Sequence, residues 1–378
     1  MGNVDAERFA TLLHAYGRAT DTPGHLAALR DGDEKARSAA LDHLWSAVIH
    51  QGTPWTATPP TAAAVAGMLT DPRLAATDRV ALLRFLAAVA EACQPGADAD
   101  LAALAHPAGR DVDAELAALL AAGDDETLWE DGELADAMFA RAVLGCHEVQ
   151  PAVFAAAAAL LTDRDPLVRG AAAHTSTVSF RLLDQPPDAL ADRLTALAAA
   201  AGPDERAALV LAMGELGLAP RQHLADPHPG VRACAALAPA LAADDAATAE
   251  ILAALVDPAA CDDWFAERPP QFPARIRFTL VAAALDRVEG FDRLLPAAVA
   301  VARIAGKHSV NFDWGPLLLA AFPEGAPPDR LPEAPRRYLA ALVDNDELWD
   351  PRHGNASLVF RQAGLPYDRA ACRSLATR

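Results

Sequence analysis

The chain carries one pattern twice, as LTDRDPLVRGAAA at residues 161–173 and as LADPHPGVRACAA at residues 224–236. Each copy has Leu-x-Asp, then Pro, then Val-Arg and a run of small residues, and the copies lie 63 residues apart. The opening Leu-x-Asp recurs twice more, each time followed by Pro as in the second copy. It lies at 255–258, 31 residues after the second copy, and at 69–72, 92 residues before the first. These offsets are near multiples of about 31 residues, a period typical of stacked helix pairs.

The composition predicts an all-α fold. Alanine supplies about a quarter of the 378 residues and aromatic residues only 6%, so helix formers far outnumber strand formers. A chain of this length exceeds one compact core, which leaves several globular domains or one elongated array. Together with the repeat, this predicts an α-α superhelix, a solenoid of stacked antiparallel helix pairs.

We predict that this solenoid is one continuous domain over residues 1–378. An N-terminal cap covers 1–32 and includes a helix over 4–16. The repeats run through 33–258, with a degenerate unit at 101–145 where the period blurs. Irregular C-terminal repeats and a cap fill 259–378.

Each sharp copy predicts a helix start. Asp165 followed by Pro166 fits an N-cap residue and a proline at the first helical position, where a missing N–H costs nothing. His228–Pro229 holds the matching place. We expect Val168 and Val231 to face the core, and the Arg after each Val to bridge carboxylates or carbonyls of the adjacent unit.

Net charge argues against nucleic acid as the main partner. The formal charge is −19 and the pI about 4.9, so phosphate backbones are repelled on average. A basic protein partner suits this charge, since complementary potentials steer encounter. Solubility of an elongated protein is the simpler reason for the same charge.

The five cysteines are scattered and form no Cys-x-x-Cys pair, so neither a disulfide framework nor a zinc ribbon is predicted. The N-terminus lacks a basic segment followed by an apolar run, and no stretch has the ~18 charge-free apolar residues of a membrane span. We expect a cytoplasmic protein with no membrane segment.

At the two sharp copies the chain resembles HEAT repeats, particularly the short type of phycobilisome lyase-like bacterial proteins. The segments His50–Trp55, Asn311–Pro316 and Gly364–Pro366 are similar to a group of bacterial HEAT-repeat proteins of unassigned activity. The resemblance implies a right-handed α-α superhelix whose concave surface grips another macromolecule. It implies no reaction.

No catalytic residue, metal site or cofactor is predicted. HEAT-like di-iron hydroxylases use several His-Glu pairs, whereas only His147–Glu148 occurs here. HEAT-like DNA glycosylases need a basic face with Trp and an acid; Asp313 and Trp314 offer the residues, but the net charge is wrong. A bilin lyase rests on the repeat type alone. No nucleophile elbow, phosphate loop or His-Glu-x-x-His helix is present.

Loop residues supply the candidate contacts for a partner, because a few aromatic anchors often dominate an interface. The predicted partner-binding residues are His50, Gln51, Trp55, Trp264, Phe265, Phe272, Asp313 and Trp314. Phe312 lies in the same connectors. The structural alternative is that Gly52 and Pro54 simply make a turn and that the rings plug irregular junctions. Trp45 and Trp129 sit in helical patterns and are expected to pack in the core.

The leading hypothesis is a non-enzymatic scaffold that binds a basic protein on the concave face, one version being an immunity-type protein that masks a basic toxin. The alternative is an enzyme on a HEAT-like scaffold, acting as a metal-dependent hydroxylase, a lyase or a DNA glycosylase. A structural linker in a larger complex is the third hypothesis. Oligomeric state and partner identity stay open.

Overall fold

The computed structural model describes residues 6–94, 100–123, 125–325, 330–350 and 352–377. Helices dominate these residues, and the strands among them are two short ones, β1 (Leu13–His14) and β2 (Gly17–Arg18), which pair antiparallel. The all-α prediction is confirmed. The solenoid arrangement and the single continuous domain stay predictions.

The chain divides into two compact units, Met1–Arg193 and Leu194–Arg378, and the division falls within α11 (Asp188–Ala200). The other helices of the first unit are α1 (Ala6–Phe9), α2 (Thr22–Asp31), α3 (Glu34–His43), α4 (Thr58–Met68), α5 (Ala76–Ala92), α6 (Leu101–Ala105), α7 (Val112–Ala122), α8 (Asp125–Glu130), α9 (Gly132–Ala159) and α10 (Pro166–Phe180). Those of the second unit are α12 (Pro203–Glu215), α13 (Pro229–Ala236), α14 (Asp245–Ala254), α15 (Pro258–Asp262), α16 (Ile276–Arg287), α17 (Phe291–Ile304), α18 (Trp314–Ala321), α19 (Glu333–Asp344), α20 (Gly354–Gln362) and α21 (Arg369–Thr377).

Helix α10 is the central helix of the first unit. It packs against α5 and α9, and every residue from 170 to 180 is buried. Small side chains make this close approach possible, and the buried Thr175 hydroxyl contacts the carbonyl oxygens of Leu83 and Ala171, each at 2.9 Å. The buried hydroxyls of Ser176, Thr177 and Ser179 in the same helix have no hydrogen-bond partner among the described residues, which is uncommon for buried polar groups.

The second unit is built on successive helix pairs. Helix α13 packs between α12 and α14, and α19 packs between α17 and α21. Its largest fully buried side chains include Trp314, Tyr338 and Phe360, and the Tyr338 hydroxyl donates to the Trp314 carbonyl at 2.7 Å. The aromatic residues of this unit therefore lie mainly in its core.

The repeated motif folds the same way in both units. The carboxylate of Asp163 accepts from the N–H of Asp165 at 2.9 Å, and that of Asp226 accepts from the N–H of His228 at 2.9 Å. Asp71, in the earlier Leu-x-Asp-Pro, accepts from the N–H of Arg73 at 2.9 Å. A short carboxylate that bonds the backbone two residues on fixes a turn, so the motif encodes one turn before a helix.

The helix-start prediction is confirmed at Asp165–Pro166, and α13 likewise begins at Pro229, but the predicted cap at His228 is wrong. The Asp165 side chain caps α10 by accepting from the N–H of Leu167 at 2.8 Å, and Pro166 is the first residue of the helix. Val168 and Val231 are fully buried. His228 makes no side-chain cap at α13.

The arginine that follows each valine donates a hydrogen bond to a carbonyl of the turn that precedes its helix. Arg169 Nη1 donates to the carbonyl of Asp163 at 2.8 Å, and Arg232 Nη1 donates to that of Asp226 at 3.1 Å. Arg232 also donates to Glu250 on α14 at 2.8 Å. The expected bridge to a neighbouring helix is therefore present at Arg232, beside a bond within the turn that the sequence analysis did not predict.

The helix predicted over 4–16 is wrong in the described part of that range, where α1 ends at Phe9 and a hairpin follows. Tertiary bonds explain the difference: the N–H of Leu13 donates to the Thr56 hydroxyl at 2.7 Å, and the Leu13 carbonyl accepts from the N–H of Ala57 at 3.0 Å. Gly17 takes a φ of +105°, which helix continuation excludes. Residues 4 and 5 lie outside the described residues.

Trp45 and Trp129 are not core residues, contrary to prediction. They are 44% and 54% exposed. Trp45 lies in a π-helical turn over 44–48 that continues α3, where wider winding rotates side chains away from the α-helical face. Trp129 meets the buried Trp55 edge to face at a ring distance of 5.9 Å and leaves its outer face in solvent.

Among the described residues, one helical stretch, Gly132–Thr162, is long and apolar enough to span a membrane by length and composition. This stretch contains α9, which packs against α4, α6 and α10 within the first unit. Core helices pass the same test of length and hydropathy. The absence of a membrane segment stays a prediction.

Substitution of Asp226 tests whether the aspartate of the motif stabilises the turn. Burial alone would raise the pKa of Asp226, but the His228 N–H and the Arg206 guanidinium at 2.7 Å outweigh it and lower the pKa. We expect Asp226→Ala to lower the free energy of unfolding by about 1–3 kcal/mol, the range for charge-assisted hydrogen bonds. Urea denaturation measures it. Asp263→Ala, an exposed aspartate of the same unit, is the control, and an equal loss for both variants contradicts the role of the turn.

Ion pairs at the start of α9 make the free energy of unfolding depend on pH in the acid range. Arg110 holds the carboxylates of Asp131, Glu115 and Glu133, and its hydrogen bonds lower the pKa of Asp131 from 3.8 to about 2. A pKa depressed on folding contributes stability that is complete above 3.8 and is lost as the pH falls toward 2. We expect Asp131→Asn to flatten the loss of stability in that window in urea titrations at stepped pH. The account would be contradicted if the free energy of unfolding fell equally with pH for the wild type and the variant.

Candidate functional site

Three predicted partner-binding residues, His50, Gln51 and Trp55, lie in one connector of the first unit. Gln51 is exposed and has a φ of +51°, a left-handed conformation that is uncommon outside glycine, and Gly52 follows with a φ of +79°. His50 is half-buried, and its Nδ1 contacts the Ser46 carbonyl at 2.7 Å. Trp55 is 9% exposed and packs on Phe139. The predicted turn at Gly52 is confirmed, and Gln51 is the residue of this group most open to a partner.

The other five predicted residues lie in the second unit, most of them in its core. Phe265, Phe272, Asp313 and Trp314 are buried, and Trp264 is half-buried against the same core. The loop rings fill junctions between helices, the structural alternative of the sequence analysis. Burial keeps these four side chains from direct contact with a partner in this conformation.

The exposed aromatic residue of this region is Phe312, which is 53% exposed. Its ring stacks on that of Phe278 in α16, with ring centroids 5.2 Å apart and planes at 15°. The two phenylalanines come from elements 34 positions apart in the chain. Phe278 was missed by the sequence analysis, because its helical spacing resembles that of a core residue.

The stacked pair lines an apolar groove with a volume of about 700 Å³. Phe278, Val281 and Leu285 of α16 form one side, and Phe312 with Pro316 forms the other. The polar side chains that line it are Arg275, Thr279, Asp286 and Asn311. An apolar concavity with few polar groups is the usual form of a binding site. We call this the Phe278–Phe312 groove.

A buried charge cluster lies behind the groove. Arg277 is 4% exposed, and its Nε donates to the fully buried Asp313 carboxylate at 3.2 Å. Its Nη1 donates to Asp262, and its guanidinium carbon lies 4.9 Å from the Phe278 ring centroid. One cation is thus neutralised by two carboxylates and covers one phenylalanine of the groove.

Asp313 connects this cluster to the exposed ring. Its carboxylate accepts from the N–H of Trp314 at 2.6 Å and so begins α18. The Trp314 indole donates to the Gly306 carbonyl at 3.1 Å, which fixes the next residue in the core. With the two residues that follow it anchored inward, Phe312 is held outward.

Burial of Asp313 affects its pKa and that of Tyr338. Burial raises the pKa of Asp313, and the Trp314 N–H, the Ser309 hydroxyl and Arg277 oppose this without cancelling it. Burial also raises the pKa of Tyr338, with the charge of Asp313 adding to the effect. A carboxyl placed here depends on Arg277 for its charge.

Gly315 is required by close packing after this turn. A Cβ at this position would lie 2.1 Å from the Val310 carbonyl oxygen. No side chain fits there, which explains the glycine in Asn311–Pro316. The segment that the sequence analysis singled out is therefore a compact turn that presents one ring, Phe312.

The His147–Glu148 pair has a local explanation. His147 Nε2 contacts the carbonyl of Cys93, and Glu148 is exposed. All five cysteines are buried and free of disulfides. His147 therefore connects α9 to the residue that follows α5.

Comparisons with models of protein families, with curated proteins and with solved structures find no match for this chain.

The charge cluster can be tested by removing its cation. Arg277→Met leaves two carboxylates facing an apolar wall, and we expect the free energy of unfolding to fall by roughly 3–5 kcal/mol, the cost of breaking a buried pair. Arg275→Met is the matched control: Arg275 contacts the same Asp262 at 3.4 Å, yet its side chain is 61% exposed. Its loss should cost less than about 1 kcal/mol. Denaturant unfolding that gives equal losses for the two variants contradicts the role assigned to Arg277.

Proposed function

We propose that this chain is a non-enzymatic protein-binding scaffold, and that the Phe278–Phe312 groove accepts a segment of a basic protein partner through an apolar side chain. The observation that carries the proposal is the exposed ring of Phe312, which stacks on the half-buried Phe278 at an apolar groove beside buried charges. Contiguous apolar surface that is left in solvent is typical of a site where another molecule binds.

The apolar part of the partner follows from the walls of the groove. Phe278 and Phe312 line it with aromatic carbon atoms, and Leu285 and Pro316 extend the same apolar surface. Rings already fixed in place lose little conformational entropy on binding, so an inserted aliphatic or aromatic side chain gains most of its burial energy. Such anchored apolar contacts usually carry most of the affinity of an interface.

The basic character of the partner follows from Asp286 and from the net charge of the chain. Arg275 and Arg277 are matched by Asp262 and Asp313. Asp286 lines the groove, is exposed and belongs to no ion pair among the described residues. The charge of Arg287 also acts on Asp286, so the acidic excess is that of the whole chain, whose net charge is −19. A Lys or Arg beside the apolar anchor complements Asp286.

The HEAT-like α-α superhelix belongs to the same proposal. Its support is the repeated turn, in which an aspartate and an arginine close the same bonds at both sharp copies. Stacked helix pairs joined by such turns leave one face free along the array. A concave face of this kind would carry the groove and its acidic surroundings.

A photo-crosslinking experiment tests the binding proposal. p-Benzoylphenylalanine in place of Phe312 keeps an aromatic ring at the groove, and irradiation in cells of the source organism should give a discrete protein adduct. We expect mass spectrometry to find a basic protein, cross-linked through a segment with an apolar residue next to Lys or Arg. The adduct should disappear in a Phe278→Ala background.

The matched control is the same reagent at Leu358, which is 43% exposed on α20 of the same unit and does not line the groove. With the partner purified, Phe312→Ala should weaken binding by about 30-fold or more, as expected of an interface anchor, and Leu358→Ala by less than about twofold. No adduct at position 312, an acidic partner, or equal adducts at both positions would overturn the proposal.

A further inference from the structure

A second feature, in the first unit and unrelated to the groove, is a group of converging metal-ligand atoms. His14 Nε2 lies 3.0 Å from Asp21 Oδ1, and His43 Nδ1 lies 3.9 Å from Asp21 Oδ2. One ligand atom from each of the three residues lies within 4.8 Å of the others. We propose that His14, Asp21 and His43 form a binding site for one divalent transition-metal ion.

The three ligands come from three elements that the fold brings together. His14 ends β1, Asp21 immediately precedes α2, and His43 is the last residue of α3. The Asp21 side chain makes no cap bond to α2, although N-cap aspartates usually do. Its carboxylate instead faces the two imidazoles.

Burial and exposure suit an ion with an open coordination position. His14 and His43 are 4% and 7% exposed, whereas the Asp21 side chain is 54% exposed. Two nitrogens and one carboxylate oxygen are the donors that zinc and iron(II) accept, and water can complete the set from the open side.

The outer contacts of both rings fit coordination. His43 Nε2 lies 2.9 Å from the hydroxyl of the fully buried Thr22. With a metal on Nδ1, Nε2–H donates to this oxygen, the kind of outer hydrogen bond that orients ligand histidines. The ring of His25 stacks on that of His43, with ring centroids 4.1 Å apart, and holds it in place.

His14 must change tautomer when the ion binds. The N–H of Tyr16 donates to His14 Nδ1 at 3.1 Å, so the proton of the neutral ring is on Nε2 and points at Asp21. The metal replaces that proton, the proton moves to Nδ1, and the bond from Tyr16 is lost. Tyr16 is 68% exposed in the turn of the β1–β2 hairpin, where it can turn away, and one hydrogen bond is small beside the free energy of metal coordination.

Zinc titration of the purified chain tests the site. Isothermal calorimetry with ZnCl₂ should show one site with a dissociation constant of about 10 µM or tighter, and Co²⁺ should give visible d–d absorption. Asp21→Asn, which keeps the size of an exposed side chain, should weaken zinc binding at least about 100-fold. His43→Ala should abolish both signals.

His50→Ala is the matched control, because His50 lies near this cluster but contributes no ligand atom to it. It should bind zinc as the wild type does. Zinc should also raise the unfolding midpoint of wild type and not that of Asp21→Asn. No binding at 100 µM zinc, or equal binding by wild type and Asp21→Asn, overturns the proposal.

Discussion

The groove of the second unit depends on the neutralisation of Arg277. A guanidinium that is nine-tenths buried is stable only with its charge matched, and Asp262 and Asp313 match it from two sides. Asp313 in turn begins α18 and fixes Trp314 in the core. One buried charge therefore sets the start of a helix, the burial of an indole and the outward position of Phe312.

A few local hydrogen bonds build the repeated turns. A carboxylate at the third residue of Leu-x-Asp closes the turn, and an arginine six residues on bonds the carbonyl of that aspartate. These bonds are local in sequence, and the same turn forms at both sharp copies. At 255–258 the carboxylate of Asp257 instead caps α15 by accepting from the N–H of Ala260 at 3.3 Å. The helices that follow then bury Val168 and Val231 and add apolar surface to the core of each unit.

Local features were predictable from the sequence, and features set by distant contacts were not. The Asp165 cap and the buried valines of the sharp copies follow from residues within one turn of each other. The β1–β2 hairpin does not, because its bonds reach Thr56, 43 positions away. Phe312 and Trp314 look alike as loop aromatics, but their opposite exposure depends on Arg277, 36 positions before Asp313. The ligand group of His14, Asp21 and His43 spans three elements and leaves no spacing motif.

The central claim is that the buried charges around Arg277 hold the Phe312 ring on Phe278 before any partner binds. The most direct measurement is the ¹⁹F NMR spectrum of the chain with 4-fluorophenylalanine at position 312 only. We expect one resonance in the wild type, displaced from the value of a Phe278→Ala variant by the neighbouring ring, and movement toward that value in Arg277→Met. A resonance that is the same in wild type and Phe278→Ala, or that is unmoved in a folded Arg277→Met, would contradict the account.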